Sequence, residues 1–200
     1  MRAALPVGVI LAGGLARRMG GGDKGLLPFA GGTLLGAVIA RVRPQVTALA
    51  LNANGDPGRF AAYGLPVLAD PVPGQPGPLA GLLAAMDWAA AQGAAQVLTL
   101  PTDTPFLPHD LVARLIAAAP GRAAIAATAG GDAHPVIGLW PVTLAPVLRS
   151  HLQTGERRVG AFAAAVGAAK VPFPPGPPGP PDPFLNLNTP EELAAAGRWM

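Results

Sequence analysis

A short apolar run, Val7-Gly8-Val9-Ile10-Leu11, leads directly into a segment with glycine at positions 13, 14, 20, 21 and 22. Five continuous apolar residues closed by glycines read as a strand buried on both faces. A strand of this kind is common in parallel sheets covered by helices. The rest of the chain agrees. Further strands are predicted over 46–51, 65–69 and 96–100, the last stopped by Pro101. Helical spacing of apolar residues covers 33–43, ending at Pro44, and helices are also predicted over 78–91 and 108–119, each with proline near its first turn. Strand and helix alternate less clearly through 123–127, 136–140, 144–152 and 158–166. Thr189-Pro190-Glu191-Glu192 opens a last helix with an N-cap threonine, proline at the first position and early carboxylates. This alternation predicts an α/β domain with a mostly parallel sheet. In such sheets ligands bind beyond the C-terminal ends of the strands, which directs attention to the residues after Leu11, Leu51, Ala69 and Leu100.

The 200 residues suit one domain, 1–200, and half of them are hydrophobic, enough for a full core. Every apolar run is interrupted before the roughly 18 residues a membrane span requires. The N-terminus enters the first strand too early for a signal peptide, so the expectation is a soluble, cytoplasmic protein that binds no membrane. There is no cysteine, which excludes disulfides, thiolate metal sites and cysteine nucleophiles. Net charge is only +3, from 14 basic and 11 acidic residues. A nucleic-acid surface would show a dense basic stripe interleaved with aromatics. Here basic residues gather at Arg17, Arg18 and Lys24, and again at Arg157 and Arg158, which suits a small anionic ligand. Residues 172–183 hold eight prolines and read as an extended surface loop.

The glycine segment carries the strongest chemical signal. Glycines let successive backbone N–H groups turn inward and let a phosphate approach closely. Arg17, Arg18 and Lys24 add positive charge within the same loop. A triphosphate requires this combination of many donors, little bulk and offsetting cations. The loop is neither a Walker A sequence nor the G-x-G-x-x-G dinucleotide fingerprint.

Taken together, the motifs resemble those of the molybdenum cofactor guanylyltransferases. The loop reads Leu11-Ala12-Gly13-Gly14, then Arg18-Met19-Gly20-Gly21, then Asp23-Lys24-Gly25-Leu26-Leu27. In order there follow Asn52-Ala53-Asn54, Asp70, Pro76-Gly77-Pro78-Leu79-Ala80-Gly81 and Pro101-Thr102-Asp103-Thr104-Pro105-Phe106. His134-Pro135, Gly155-Glu156-Arg157-Arg158-Val159 and Asn186-Leu187-Asn188-Thr189-Pro190-Glu191-Glu192-Leu193 complete the series. The resemblance covers nearly the whole chain. It implies a Rossmann-like three-layer α/β/α nucleotidyltransferase domain. The implied reaction joins GMP from GTP to the terminal phosphate of molybdenum-loaded molybdopterin and releases pyrophosphate, with Mg²⁺ required. Partners implied are GTP, the molybdopterin acceptor, molybdoenzymes or chaperones that receive the product, and a separate GTP-binding adaptor.

The resemblance assigns roles residue by residue. The backbone at Leu11, Ala12 and Gly13 matches the guanosine-contacting segment, and Lys24 matches a triphosphate-contacting lysine. A lysine there can offset charge as the α-phosphate becomes pentacoordinate. Asn52 matches a nucleotide contact; its amide suits a base edge or ribose, and it also sits in a turn-rich stretch. Asp70 matches a further nucleotide contact. Asp103 is the expected Mg²⁺ ligand, since Mg²⁺ takes one or two carboxylates plus phosphate oxygens and water; the competing reading is a cap for the helix from about Leu107. Arg18, Gly21, Gly77, Gly81, Asn186 and Asn188 match acceptor contacts, against ordinary roles in tight packing and turns. His134 and His151 are assigned no chemistry. Two departures from the family pattern are visible: the long proline-rich stretch before Asn186, and Thr102 where many relatives carry cysteine. The rival readings are a cytidylyltransferase, whose relatives usually read Leu-Ala-Ala-Gly at the loop, and a non-catalytic nucleotide or cofactor delivery protein. Gly13 and Asp23 favour guanylyl over cytidylyl transfer, and Lys24 together with Asp103 favours an enzyme.

Overall fold

The computed structural model describes residues 5–13, 22–72, 77–175 and 181–200. The expectations placed on Gly14, Arg17, Arg18, Gly21 and Pro76 therefore lie outside the described residues. In chain order the elements are β1 (Val7–Leu11), a small hairpin of β2 (Pro28–Phe29) and β3 (Gly32–Thr33), α1 (Leu34–Val42), β4 (Leu49–Asn52), β5 (Val67–Leu68), α2 (Pro78–Ala91), β6 (Gln96–Pro101), α3 (Leu111–Ala118), β7 (Ala124–Thr128), β8 (Ala133–Pro141), α4 (Ala145–Gln153), α5 (Val159–Ala165), β9 (Ala169–Phe173) and α6 (Pro190–Ala196). The main sheet has seven strands in the order β5-β4-β1-β6-β8-β7-β9. β1 pairs in parallel with β4 and with β6, β4 with β5, and β7 with β9, while β8 runs antiparallel to both its neighbours.

Alternation along the strands sends side chains into two cores. Ile10, Leu51, Leu98 and Leu100 face one side, where Leu35 and Val38 of α1 and Leu111 and Leu115 of α3 cover them. Val7, Val9, Ala50 and Val97 face the other, against Leu79, Leu82, Leu83 and Met86 of α2, Leu148 of α4 and Phe162 of α5. Burying such a side chain fully stabilises the fold by about 1.5–3 kcal/mol, so each face is held firmly. The layers are α/β/α, as expected. Strand order places a switch point at β1: the chain moves to β4 on one side and returns to β6 on the other. A crevice opens beyond the ends of such strands.

Three local expectations are corrected. The second strand starts at Leu49 rather than at residue 46; Arg43–Gln45 forms a 3-10 turn ahead of it, and Gln45 ties that turn to α3 by accepting the N–H of Val112. The third strand shrinks to Val67–Leu68. The proline-rich loop does not begin at Pro172, because Pro172 and Phe173 finish β9, which pairs with β7 through Ala127 and Pro172. Proline is tolerated there because β9 is an edge strand, and its missing N–H faces no further partner. The last helix matches its sequence signature: Thr189 accepts from the Glu192 N–H at 3.2 Å, and the Glu192 carboxylate accepts from the Thr189 N–H, a capping box. No helix among the described residues is long and apolar enough to cross a membrane.

Candidate active site

Two clefts lie side by side beyond the ends of β1 and β6. The first, of about 280 Å³, is lined by Leu11, Gly13, Asn52, Asn54, Asp70 and Gly77 among others. The second, of about 350 Å³, is lined by Asp103, Asn186 and Ala133 to Ile137. Pro101 and Val136 line both and form the wall between them.

In the first cleft, the strand ladder settles which backbone groups are free. Leu11 is paired to Asn52 on one side and Pro101 on the other. The Ala12 N–H donates to the Asn52 carbonyl at 2.7 Å. Its N–H is thus committed to the fold, and Gly13 is the first residue past the ladder. A methyl group on Gly13 would meet nothing within 4 Å among the described residues, so their packing does not require glycine there. Asn52 is buried; its amide donates to the Leu68 carbonyl at 3.1 Å and to Asp70 Oδ1 at 2.9 Å. The Asn54 amide donates to Asp70 Oδ2 at 2.7 Å, and the Asn54 side-chain oxygen accepts the Asp70 N–H at 2.9 Å. Asn52, Asn54 and Asp70 therefore form one network across β4 and β5, in which Asp70 is held rather than simply turned. Arg59 closes its outer edge, donating to the Asn54 carbonyl at 2.7 Å and forming an ion pair with Asp23 at 2.6 Å.

Gly77 and Gly81 sit on this same side. Gly77 precedes α2 with φ of +145°, a conformation that L side chains rarely adopt. A Cβ on Gly81 would lie 2.3 Å from Asn52 Oδ1 and 3.2 Å from a Leu11 methyl. Only glycine lets α2 approach Asn52 this closely. The structure thus places Gly81 against Asn52 and Leu11 and Gly77 in the lining of the first cleft, and neither in the lining of the cleft with Asp103 and Asn186.

At the second cleft three chain segments meet. Lys24 begins a 3-10 turn, Lys24–Leu26, fixed by Gly25: a Cβ there would come within 3.2 Å of Leu35 and 3.3 Å of Thr102. Thr102 is buried against this glycine, which accounts for a small side chain at that position. Lys24 Nζ lies 2.6 Å from Asp103 Oδ2 and 2.6 Å from Asn188 Oδ1. The Leu187 N–H donates to the Asp103 carbonyl at 3.0 Å, and the Asn188 amide to the Asn186 carbonyl at 3.2 Å. Lys24 and Asp103 side chains are only 12% and 18% exposed, so their attraction is less screened than that of a surface pair. The capping alternative for Asp103 does not arise, since Asp110 stands at the N-cap of α3.

Asp103 Oδ1 is buried without a hydrogen-bond partner among the described residues. A carboxylate with one oxygen on an ammonium group and the other unsatisfied suits a cation that completes its coordination elsewhere. No cluster of three or more acidic, histidine or cysteine ligands occurs among the described residues, so a cation here would draw its remaining ligands from phosphate and water. Sequence reasoning did not foresee His134 as part of this cleft. It lines the wall with Asp103 and Asn186, and its only sequence signal was position, within the His134-Pro135 pair.

Comparison with known proteins agrees with this architecture. Residues 8–168 match the family model of the MobA-like NTP transferase domain. The chain is 54% identical over 196 residues to the molybdenum cofactor guanylyltransferase of Bradyrhizobium sp. (strain ORS 278), covering 96% of this chain and 91% of that one. It is 53% identical over 189 residues to the protein of the same name from Cereibacter sphaeroides, covering 94% of each. Among solved structures, the molybdopterin-guanine dinucleotide biosynthesis protein A of Archaeoglobus fulgidus superposes with a TM-score of 0.69 at 19% identity, over 96% of this chain and 97% of that one. That likeness establishes the shared fold.

Proposed function

The chain belongs to the MobA-like NTP transferase family, and on that premise we propose that it transfers GMP from GTP to the terminal phosphate of molybdenum-loaded molybdopterin. Pyrophosphate leaves, and the product is the guanine dinucleotide form of the cofactor. The observation that carries this reading is the meeting of Lys24, Asp103 and Asn188 at one point beside the wall between two clefts. One cleft receives the nucleoside and the other the acceptor, so that the α-phosphate falls at the seam.

Each residue then has a task. Gly13 and the Asn52–Asn54–Asp70 network hold the nucleoside, the fixed amides and carboxylate offering both donors and acceptors. Lys24 is close enough to leave Asp103 for a phosphate and to offset the charge that develops at phosphorus. Asp103, through Oδ1, which has no partner among the described residues, would hold Mg²⁺. The ion supplies charge neutralisation on the phosphate oxygens when bound. An oxygen of the acceptor phosphate forms the new bond to the α-phosphorus as the bond to the β-phosphate breaks, so no protein nucleophile is needed. Catalysis is positioning plus electrostatics. Asn186 and Asn188 hold the acceptor; Gly77 and Gly81 act from the nucleotide side by letting α2 close on Asn52.

Titration of the purified protein with GTP, CTP and ATP in the presence of Mg²⁺ tests the base assignment. GTP binding at least tenfold tighter than the others is expected, and equal or tighter CTP binding would reassign the base.

A further inference from the structure

We propose that His134 is a specificity-determining residue for the acceptor, hydrogen-bonding the polar edge of its heteroaromatic ring. The inference rests on the two-cleft reading above and adds a residue to it. His134 lies at the start of β8 and lines the second cleft with Asp103 and Asn186. Its Nε2 is shut off from solvent and has no hydrogen-bond partner among the described residues. Leaving a buried ring nitrogen unpaired is unfavourable; a half-turn of the ring, which keeps its plane, brings that nitrogen toward the cleft for a bound molecule to complete the bond.

The surroundings fix the chemistry of that molecule. His134 packs against Phe184 at 4.9 Å with the rings tilted by 35°, and Phe184 in turn packs edge-on against Phe173 at 5.3 Å. This aromatic column sets the plane of the imidazole. Burial lowers the His134 pKa, more than the nearby Asp182 and Asp132 raise it, which keeps the ring neutral at pH 7. A neutral imidazole offers one donor and one acceptor. The rest of the lining is mostly apolar, from Pro101, Ala133, Pro135, Val136 and Ile137, with Asn186 and Asp103 as its other polar groups. Apolar walls with a few fixed polar groups suit a flat ring with N–H and C=O groups along its edge. A pterin has this character: a flat ring with apolar faces and donors and acceptors along one edge.

The test uses the full chain and molybdopterin without nucleotide, so that no transfer occurs. Its binding is followed by pterin fluorescence, and GTP affinity is measured separately. His134→Phe keeps the packing against Phe184 and removes both nitrogens; His134→Gln returns an amide near Nε2. The expected result is a loss of molybdopterin affinity of about tenfold to a hundredfold in His134→Phe, in line with an unpaired buried polar group. GTP affinity stays unchanged and His134→Gln recovers much of the loss. Unchanged molybdopterin affinity in His134→Phe, or an equal fall in GTP affinity, would overturn the assignment. Wild-type protein that binds molybdopterin but transfers no GMP would overturn the guanylyl reading and leave His134 in place. Wild-type protein that binds molybdopterin neither alone nor with a non-hydrolysable GTP analogue present would overturn both.

Discussion

Lys24 Nζ donates to Asn188 Oδ1 at 2.6 Å, joining residues 164 positions apart, while the same ammonium group is held by Asp103. Without ligands, the lysine that would serve the nucleotide is thus tied to the loop that would serve the acceptor. A triphosphate that draws Lys24 away frees Asn188. The expected consequence is that GTP tightens acceptor binding. Removing the amide in Asn188→Ala should raise the acceptor KM and change stability by less than about 0.5 kcal/mol, since the side chain is exposed. Steady-state kinetics with thermal unfolding checks both.

Lys24→Met tests the charge itself. The variant keeps an unbranched chain of similar length and loses the ammonium group. Removing one preorganised stabiliser of developing charge lowers kcat by about 10²–10³-fold. Weaker GTP binding by titration, with that drop persisting at saturating GTP in a single-turnover assay, is the expected outcome; an unchanged kcat would remove Lys24 from the chemistry.

Two glycines of the nucleotide cleft should respond differently to the same change. Gly81→Ala places a methyl 2.3 Å from Asn52 Oδ1, so α2 must shift or the amide must turn. Overpacking of this kind costs about 1–3 kcal/mol, and GTP affinity should fall with it. Gly13→Ala meets nothing within 4 Å among the described residues. Its stability should stay within about 0.5 kcal/mol of the parent while GTP affinity falls, because the methyl enters space kept for the ligand. Thermal unfolding and nucleotide titration on both variants separate the two cases.

These cases also show what was legible in the chain. Helix α2 runs from Pro78 to Ala91 as the spacing predicts, because proline starts it and small apolar residues fill it on every side. The positions of Lys24 and Asp103 followed from strand ends and loop chemistry. Their mutual contact did not, since no periodicity links residues 79 positions apart. Strand β9 was hidden because its pairing with β7 is long-range and its last residues belong to a proline-rich stretch. The place of Gly81 was also hidden: a glycine in a helix signals close approach, but only the fold reveals that Asn52 is what approaches.

His134 gives the protein a defined acid response. Its folded-state pKa lies below the ordinary value of 6.5, mainly through burial. Above pH 6.5 the ring is neutral in both states and folding is unaffected by it. As pH falls through 6.5 toward the lower folded value, the unfolded chain takes up a proton that the folded protein does not, and stability declines. His134→Gln removes this group, so its unfolding temperature should fall less than that of the parent between pH 7 and about pH 5. Parallel melting curves across that range would show equal slopes if the imidazole were not held neutral.

The central claim is best tested by product analysis. Protein, Mg²⁺ and molybdenum-loaded molybdopterin are incubated with GTP, CTP or ATP in turn, pyrophosphate is measured, and the pterin product is weighed by mass spectrometry. A GMP-linked product with GTP alone, abolished in Asp103→Ala, is the predicted result. Turnover that favours CTP, or full activity in Asp103→Ala, would contradict it.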